Sequence, residues 1–287
     1  MKNIITWVFI LLIALIFISI FASKYIIQVS TYNITSNKIP SAFNHFKILQ
    51  ISDLHSNTFG LDNINLIKKV EKINPDIVVM TGDMVDTTDT DFDVFINLAT
   101  VLSEKYDVFF IMGNHEQNLV TQKRKFLIEQ LKETGITVLD NEFVAIDREQ
   151  ETIHLYGMWF NLRYYRNLTD KSAEDIQFTP EKMKTILGEC DESIYNILLT
   201  HNPLYFNTYA DWGSDLTLAG HVHGGMIRIP FIGGLLSPER NLFPKYSAGH
   251  YEIGNKNLIV NRGLGNGGFG IRVFNNPEIS VIILETQ

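Results

Sequence analysis

The chain has 287 residues, 45% of them hydrophobic and 20% charged, enough to bury one large core or two small ones. Its formal net charge of −8 excludes a bulk electrostatic nucleic-acid binder, which needs a basic face, so an anionic substrate would have to be attracted by something such as a metal. One cysteine, Cys190, excludes an intrachain disulfide, and its acidic setting "GECDES" raises a thiol's pKa rather than activating it.

The chain opens on an apolar run, Ile4 to Ala22, of 19 residues without a charge. At about 1.5 Å per residue this just crosses a hydrocarbon core of about 30 Å. The nearest small-x-small cleavage site, Ile20-Phe21-Ala22, has a bulky first residue, so an uncleaved transmembrane anchor over residues 1–24 is expected rather than a signal peptide. Lys2 and the amino terminus precede the run, while Lys24 follows it and the next positive charge comes only at Lys38, which favours a cytoplasmic N-terminus and an extracytoplasmic remainder. Residues 25–44 are polar and β-branched without helical period, a tether or edge strand, and residues 45–287 form the main domain.

From Phe46 a rhythm begins. "FKILQIS" reads as a buried strand, and "LDNINLIKKVEKI" as a helix with Ile64, Ile67, Val70 and Ile73 at three-residue spacing, stopped by Pro75. "DIVVMTGD" is a strand, "DFDVFINLATVLS" a helix, "DVFFIMGNH" a strand and "TQKRKFLIEQLKETG" a helix ending in glycine. Strand and helix in alternation mean a parallel sheet covered by helices. Beyond Gly135 strands dominate: "ITVLD", "FVAID", "TIHLYGM", "SIYNILLT", "DLTLAG", "LIVN" and "ISVIIL".

Several strands end in residues that bind metals. They supply Asp53 and His55, Asp83 and Asp86, Asn114 with His115 and Glu116, then His201, then His221 and His223. Ligands in open α/β sheets bind at the carboxyl ends of strands, so these segments can converge. Five of eight histidines fall in them, which a set of unrelated structural histidines would not produce. The donors are carboxylate, imidazole and amide oxygen, suited to manganese, zinc or iron rather than to thiolate-seeking metals. Donors in such number are too many for one ion and suit two divalent ions sharing a carboxylate.

In order, Asp-x-His, Gly-Asp-x-x-Asp, Gly-Asn-His-Glu, a lone His and Gly-His-x-His resemble the calcineurin-like metallophosphoesterase superfamily. The later "NRGLGNGGFGIRVFNNPEI" and the apolar N-terminus resemble its bacterial membrane-anchored branch. The resemblance implies a four-layer αββα sandwich. It also implies Asp53, His55 and His223 on a first ion, Asn114, His201 and His221 on a second, and Asp83 bridging both. His115 would act as general acid or steady the phosphoryl oxygens, oriented by Asp86, while a hydroxide bridging the ions attacks phosphorus. One departure is Met226, where branch members usually carry glutamine, and it bears on substrate rather than on metal.

The expected activity is therefore membrane-anchored, metal-dependent hydrolysis of a phosphodiester or related ester, on a lipid or envelope-linked substrate. The alternatives are a pyrophosphatase of a nucleotide-linked lipid sugar and a catalytically silent scaffold. Neither a nucleic-acid surface nor a protein partner is expected. Residues 224–246, rich in Gly, Pro and large apolar residues, read either as a hairpin packed on the core or as an apolar rim touching lipid. "NLRYYRNL" offers Arg163 and Arg166 as candidate substrate clamps or as a solvated loop.

Overall fold

The computed structural model describes residues 2–165, 177–237, 242–266, 270 and 272–287. Arg166 lies outside them. A helix, α1 (Lys2–Tyr25), carries the apolar run and is long and apolar enough to cross a membrane by length and composition. Residues 25–44 contain strand β1 (Gln28–Ser36), which forms one edge of a sheet.

The alternating segments fold as read. β2 (Lys47–Ile51), α2 (Ile64–Ile73), β3 (Ile77–Met80), α3 (Asp93–Ser103) and β4 (Asp107–Phe110) follow one another. A short helix α4 (Asn114–Asn118), α5 (Thr121–Glu133) and the two-residue strand β5 (Thr137–Val138) come next. Gly135, with φ of 92°, turns the chain out of α5. The second half supplies β6 (Glu142–Arg148), β7 (Glu151–Met158), α6 (Pro180–Leu187), β8 (Tyr195–Thr200), α7 (Phe206–Trp212) and β9 (Leu216–Ala219). It closes with β10 (Ile227–Ile229), β11 (Gly233–Leu236), β12 (Gly249–Ile253), β13 (Lys256–Val260) and β14 (Glu278–Thr286).

Two six-stranded sheets result, ordered β1-β14-β2-β3-β4-β5 and β12-β13-β9-β8-β7-β6, with β10 and β11 as a separate hairpin. β2 to β5 run parallel, as do β7, β8, β9 and β13. Side chains alternate across each strand, and the alternation assigns the layers. Ile48, Ile77, Val79, Phe109 and Ile111 point to an inner core shared with Ile153, Leu155, Ile197, Leu199 and Leu218 of the second sheet. Their neighbours Leu49, Val78, Met80, Val108 and Phe110 face the other way, onto Leu66 and Val70 of α2, Leu98 of α3 and Leu127 of α5. On the far side, Tyr156, Met158 and Leu198 meet Met183 of α6 and Trp212 of α7. Helices thus cover both outer faces of two stacked sheets, the αββα arrangement. Burial on both faces explains why these strands are continuous apolar runs rather than alternating ones.

The hairpin departs from the core-packed reading of residues 224–246. Its tip is turned outward, leaving Phe231 and Ile232 exposed together with Leu242 and Phe243.

Candidate metal centre

The carboxyl ends of five parallel strands meet at one edge of the sandwich. Asp53 and His55 follow β2, Asp83 and Asp86 follow β3, and Asn114 and His115 follow β4. From the second sheet, His201 follows β8, and His221 and His223 follow β9. Their donor atoms fall into three groups whose members lie within 4.8 Å of one another: Asp53 with His55 and His223, Asp83 with His201 and His221, and His55 with Asp86 and His115. Asp83 stands between the first two: its Oδ2 is 3.0 Å from His201 Nε2 and 3.9 Å from His55 Nε2.

The backbone is bent to achieve this. Asp53, His55, Asp83, His221 and His223 all have φ between 47° and 72°. Left-handed backbone costs a non-glycine residue on the order of 1–3 kcal/mol and persists where the surroundings enforce it, typically at functional sites. Glycines make the room. A Cβ on Gly220 would lie 2.2 Å from Asp53 Oδ2, and one on Gly113 would lie 2.3 Å from Asp83 Oδ1.

Hydrogen bonds orient the donors. His201 Nδ1 lies 2.6 Å from the Thr81 carbonyl, which places the ring proton there and leaves Nε2 facing Asp83. Asp53 accepts the Ser52 hydroxyl at 2.5 Å and the His221 N–H at 3.0 Å. Asp83 Oδ1 accepts the His115 N–H at 2.7 Å. Burial lowers the basicity of His201, but the Asp83 and Asp53 carboxylates outweigh it and hold the ring up at about 10. Burial would push the Asp83 carboxyl up, yet His201, His115 and His55 together draw it well below its usual range. Burial, with His55 and Arg272 close by, keeps His223 well below its usual value, as a neutral imidazole.

This donor set fits divalent ions. Asp53 and Asp83 are buried carboxylates, and the Oδ1 of Asn114 is buried without a hydrogen-bond partner among the described residues. Buried carboxylates, imidazole nitrogens and an orphaned amide oxygen converging within a few ångströms are costly unless a cation compensates them. Among transition metals this oxygen and imidazole mixture suits zinc, manganese or iron.

His115 is partly open to solvent, with Nδ1 3.2 Å from Asp86 Oδ1. The Thr87 N–H approaches the same nitrogen at 3.2 Å, so Asp86 and Thr87 compete for it. Arg163 is not brought into this geometry: it is exposed and stacks on Tyr164, 4.8 Å from ring centroid to guanidinium. Tyr165, which carried no role in the sequence, lies edge-on to His221 with centroids 5.0 Å apart.

Three further residues brace the site through partners that the sequence did not show. Glu116 is fully buried and its carboxylate accepts four backbone N–H groups, from Gly113, Asp83, Met84 and Val85, at 2.7–3.2 Å. It ties the β3 loop to the start of α4; the glutamate of "GNHE" was visible, its partners were not. Arg272 is buried with Nη2 3.1 Å from His223 Nδ1, and Asn275 donates to the His223 carbonyl at 2.6 Å. Both belong to the "GIRVFNN" segment, whose proximity to His223 only the fold reveals.

Comparison with known proteins gives a family model and several relatives. The family model described as calcineurin-like phosphoesterase matches residues 46–225. The chain is 29% identical to the metallophosphoesterase YkuE of Bacillus subtilis, covering 93% of this chain and 88% of that one. It is 28% identical to the phosphodiesterase YaeI of Escherichia coli, covering 83% and 82% of the two chains. It is 27% identical to the UDP-2,3-diacylglucosamine pyrophosphatase LpxG of Chlamydia muridarum, covering 85% and 86%.

Proposed function

The chain belongs to the calcineurin-like phosphoesterase family, a family of hydrolases, and from that premise we propose that it is a membrane-anchored phosphodiesterase with two divalent ions at its centre. The observation that carries this reading is Asp83, whose carboxylate stands between the His201 and His55 donors of two adjacent groups. In the proposal Asp53, His55 and His223 would hold one ion and Asn114, His201 and His221 the other, with Asp83 shared between the two sets.

When bound, such ions supply positive charge to the phosphoryl oxygens and lower the pKa of water toward about 7. The remaining work falls to the protein. His115, at the open side of the site, donates a proton to the alkoxide as the phosphorus–oxygen ester bond breaks. Asp86, 3.2 Å away, orients its ring. The 83–86 and 113–116 loops keep their shape because Glu116 collects their N–H groups.

In this reading α1 anchors the chain with residues 45–287 outside the cytoplasm as the catalytic domain, and the substrate is a phosphate ester of a lipid or envelope component. A second reading is hydrolysis of a pyrophosphate in a nucleotide-linked lipid sugar. The similarity to LpxG favours it, and a catalytic domain facing the cytoplasm would favour it further. A reporter fused after residue 287 separates the two orientations.

The test is turnover by the full chain in detergent, loaded with manganese, on a nitrophenyl phosphodiester beside the monoester. Turnover that Asp83→Asn abolishes supports the proposal. A protein that binds metal yet turns over neither ester, nor a lipid pyrophosphate, would be the silent scaffold instead.

A further inference from the structure

Two surfaces meet at Phe274. On one side it lines a crevice with Leu15, Ile18 and Ser19 of α1. On the other it lines a hollow with Pro230, Phe231 and Ile232 at the tip of the β10–β11 hairpin. The helix is fastened to the same segment. Ser23 Oγ donates to the Arg272 carbonyl at 3.0 Å, and the Phe274 N–H donates to Ser19 Oγ. Both serines are buried while the helix residues around them are largely exposed. The domain therefore overlaps the last turns of the helix, from Leu15 onward.

This overlap has a consequence for depth. The run Ile4–Ala22 is 19 residues, about 28 Å of helix, against a hydrocarbon core of about 30 Å, so a span has no residues to spare. Leu15 is seven residues before Ala22, and so lies about 10 Å inside the boundary. Whatever part of the domain stands at that level faces acyl chains. Phe231, which shares the hollow with Phe274, is fully exposed, and Ile232, Leu242 and Phe243 are more than half exposed. Leu242 bridges to Leu236, and the Phe243 N–H donates to the Leu235 carbonyl at 2.9 Å, so this pair is fastened to the second strand of the same hairpin. The crevice also holds Gln28, Arg262 and Asn276, but Arg262 is neutralised by Glu278 at 2.7 Å.

We propose that the hairpin tip, with Leu242, Phe243 and Phe274, is a membrane-inserting rim that sits in the same leaflet as the end of α1, its occupant being the bilayer. The proposal rests on reading α1 as an anchor. Amphipathic surfaces of this kind enter the head-group and acyl boundary by about 5–10 Å, the depth the helix arithmetic gives. The same 272–275 segment touches His223 through Arg272 and Asn275. The metal centre therefore sits directly behind the lipid interface, where it meets phosphate esters carried at head-group level.

The experiment places a fluorophore at the tip. The full chain with Cys190→Ser and Phe231→Cys, labelled with an environment-sensitive dye, is reconstituted into phosphatidylethanolamine–phosphatidylglycerol vesicles with or without doxyl groups on the acyl chains. A second label at Glu149→Cys is the control. Glu149 is exposed in the β6–β7 turn, beside Arg148, whose contact with Asp76 places that turn at the opposite end of the strands. Doxyl lipid is expected to remove most of the emission from the tip and little from the control. If the chain floats with the vesicles and the tip label stays unquenched, the rim does not insert, and the anchor reading stands. If the chain does not float, the anchor reading fails first. A tip label shielded in detergent in proportion to protein concentration, and not by lipid, would give the surface to a second copy of the chain and overturn the proposal.

Discussion

The carboxylate of Asp53 accepts the backbone N–H of His221 on both its oxygens, at 3.0 and 3.1 Å, across 168 residues of sequence. A residue behind β2 of the first sheet and a residue behind β9 of the second are thereby fixed to one another before any ion enters. The centre belongs to neither sheet alone, and perturbing one half should be felt in the other.

Metal removal should expose the cost of the buried carboxylates. Dialysis of the full chain against a chelator is expected to lower its thermal midpoint, and manganese or zinc to restore it. An ion at 100 times its dissociation constant stabilises by about 2.7 kcal/mol. Asp83→Asn should abolish the restoration and leave less than about a hundredth of the turnover, since even outer partners of a metal site cost about 10–100-fold. A midpoint indifferent to chelation and metal alike would argue that the donors hold no ion.

His115→Ala should separate chemistry from binding. Metal content measured by elemental analysis is expected to stay at the wild-type level while turnover drops by about 10²–10⁴-fold, the usual contribution of a general acid. Asp86→Asn should cost less, because Thr87 still contacts the same ring nitrogen. Loss of metal in His115→Ala would make that histidine a ligand.

Glu116→Gln tests the buried brace. The amide has one acceptor oxygen for four N–H donors, leaving about two of them without a partner at about 1–3 kcal/mol each. Chemical denaturation should show a loss of about 2–4 kcal/mol, and metal affinity should fall with it because Asp83 is part of the braced loop. A variant as stable as the parent would mean that the loops hold their shape without it.

Gly220→Ala should act through Asp53. The added methyl would sit 2.0 Å from Ser52 Oγ and 2.2 Å from Asp53 Oδ2, so the carboxylate must move. Reduced metal content in a protein with unchanged circular dichroism is the expected outcome, and full occupancy would show that the site relaxes around it.

Much of this arrangement is written in local pattern. Strand ends announced themselves because apolar runs such as Ile77–Met80 stop at polar, glycine-flanked residues, and the helices of the first half carry clear period and stop signals. α6 and α7 did not, since Pro180–Leu187 and Phe206–Trp212 have only 8 and 7 residues, about two turns each, too short for a helical period to stand out. Glu116 and Arg272 resisted for a different reason. Their partners, the Asp83 to Val85 amides and His223, lie 31 to 49 residues away, and only the fold brings them within reach. The outward turn of Phe231 likewise depends on where the helix lies, which composition cannot say.

The pairing of β1 with β14 sets a timetable for biosynthesis. β14 lies between β1 and β2 in the first sheet, and Thr35 meets Glu285 across 250 residues. While the ribosome is still adding those residues, β1 has no neighbour to join. In the anchored reading, the N-terminal helix would already be seated in lipid while the first sheet waits, open along β2, for its last strand. Contacts this distant in sequence are slow to form and leave edges bare in the meantime. A nascent chain of this protein should therefore depend on a holding factor, and shortening it by the last nine residues should strand both β1 and the anchor it follows.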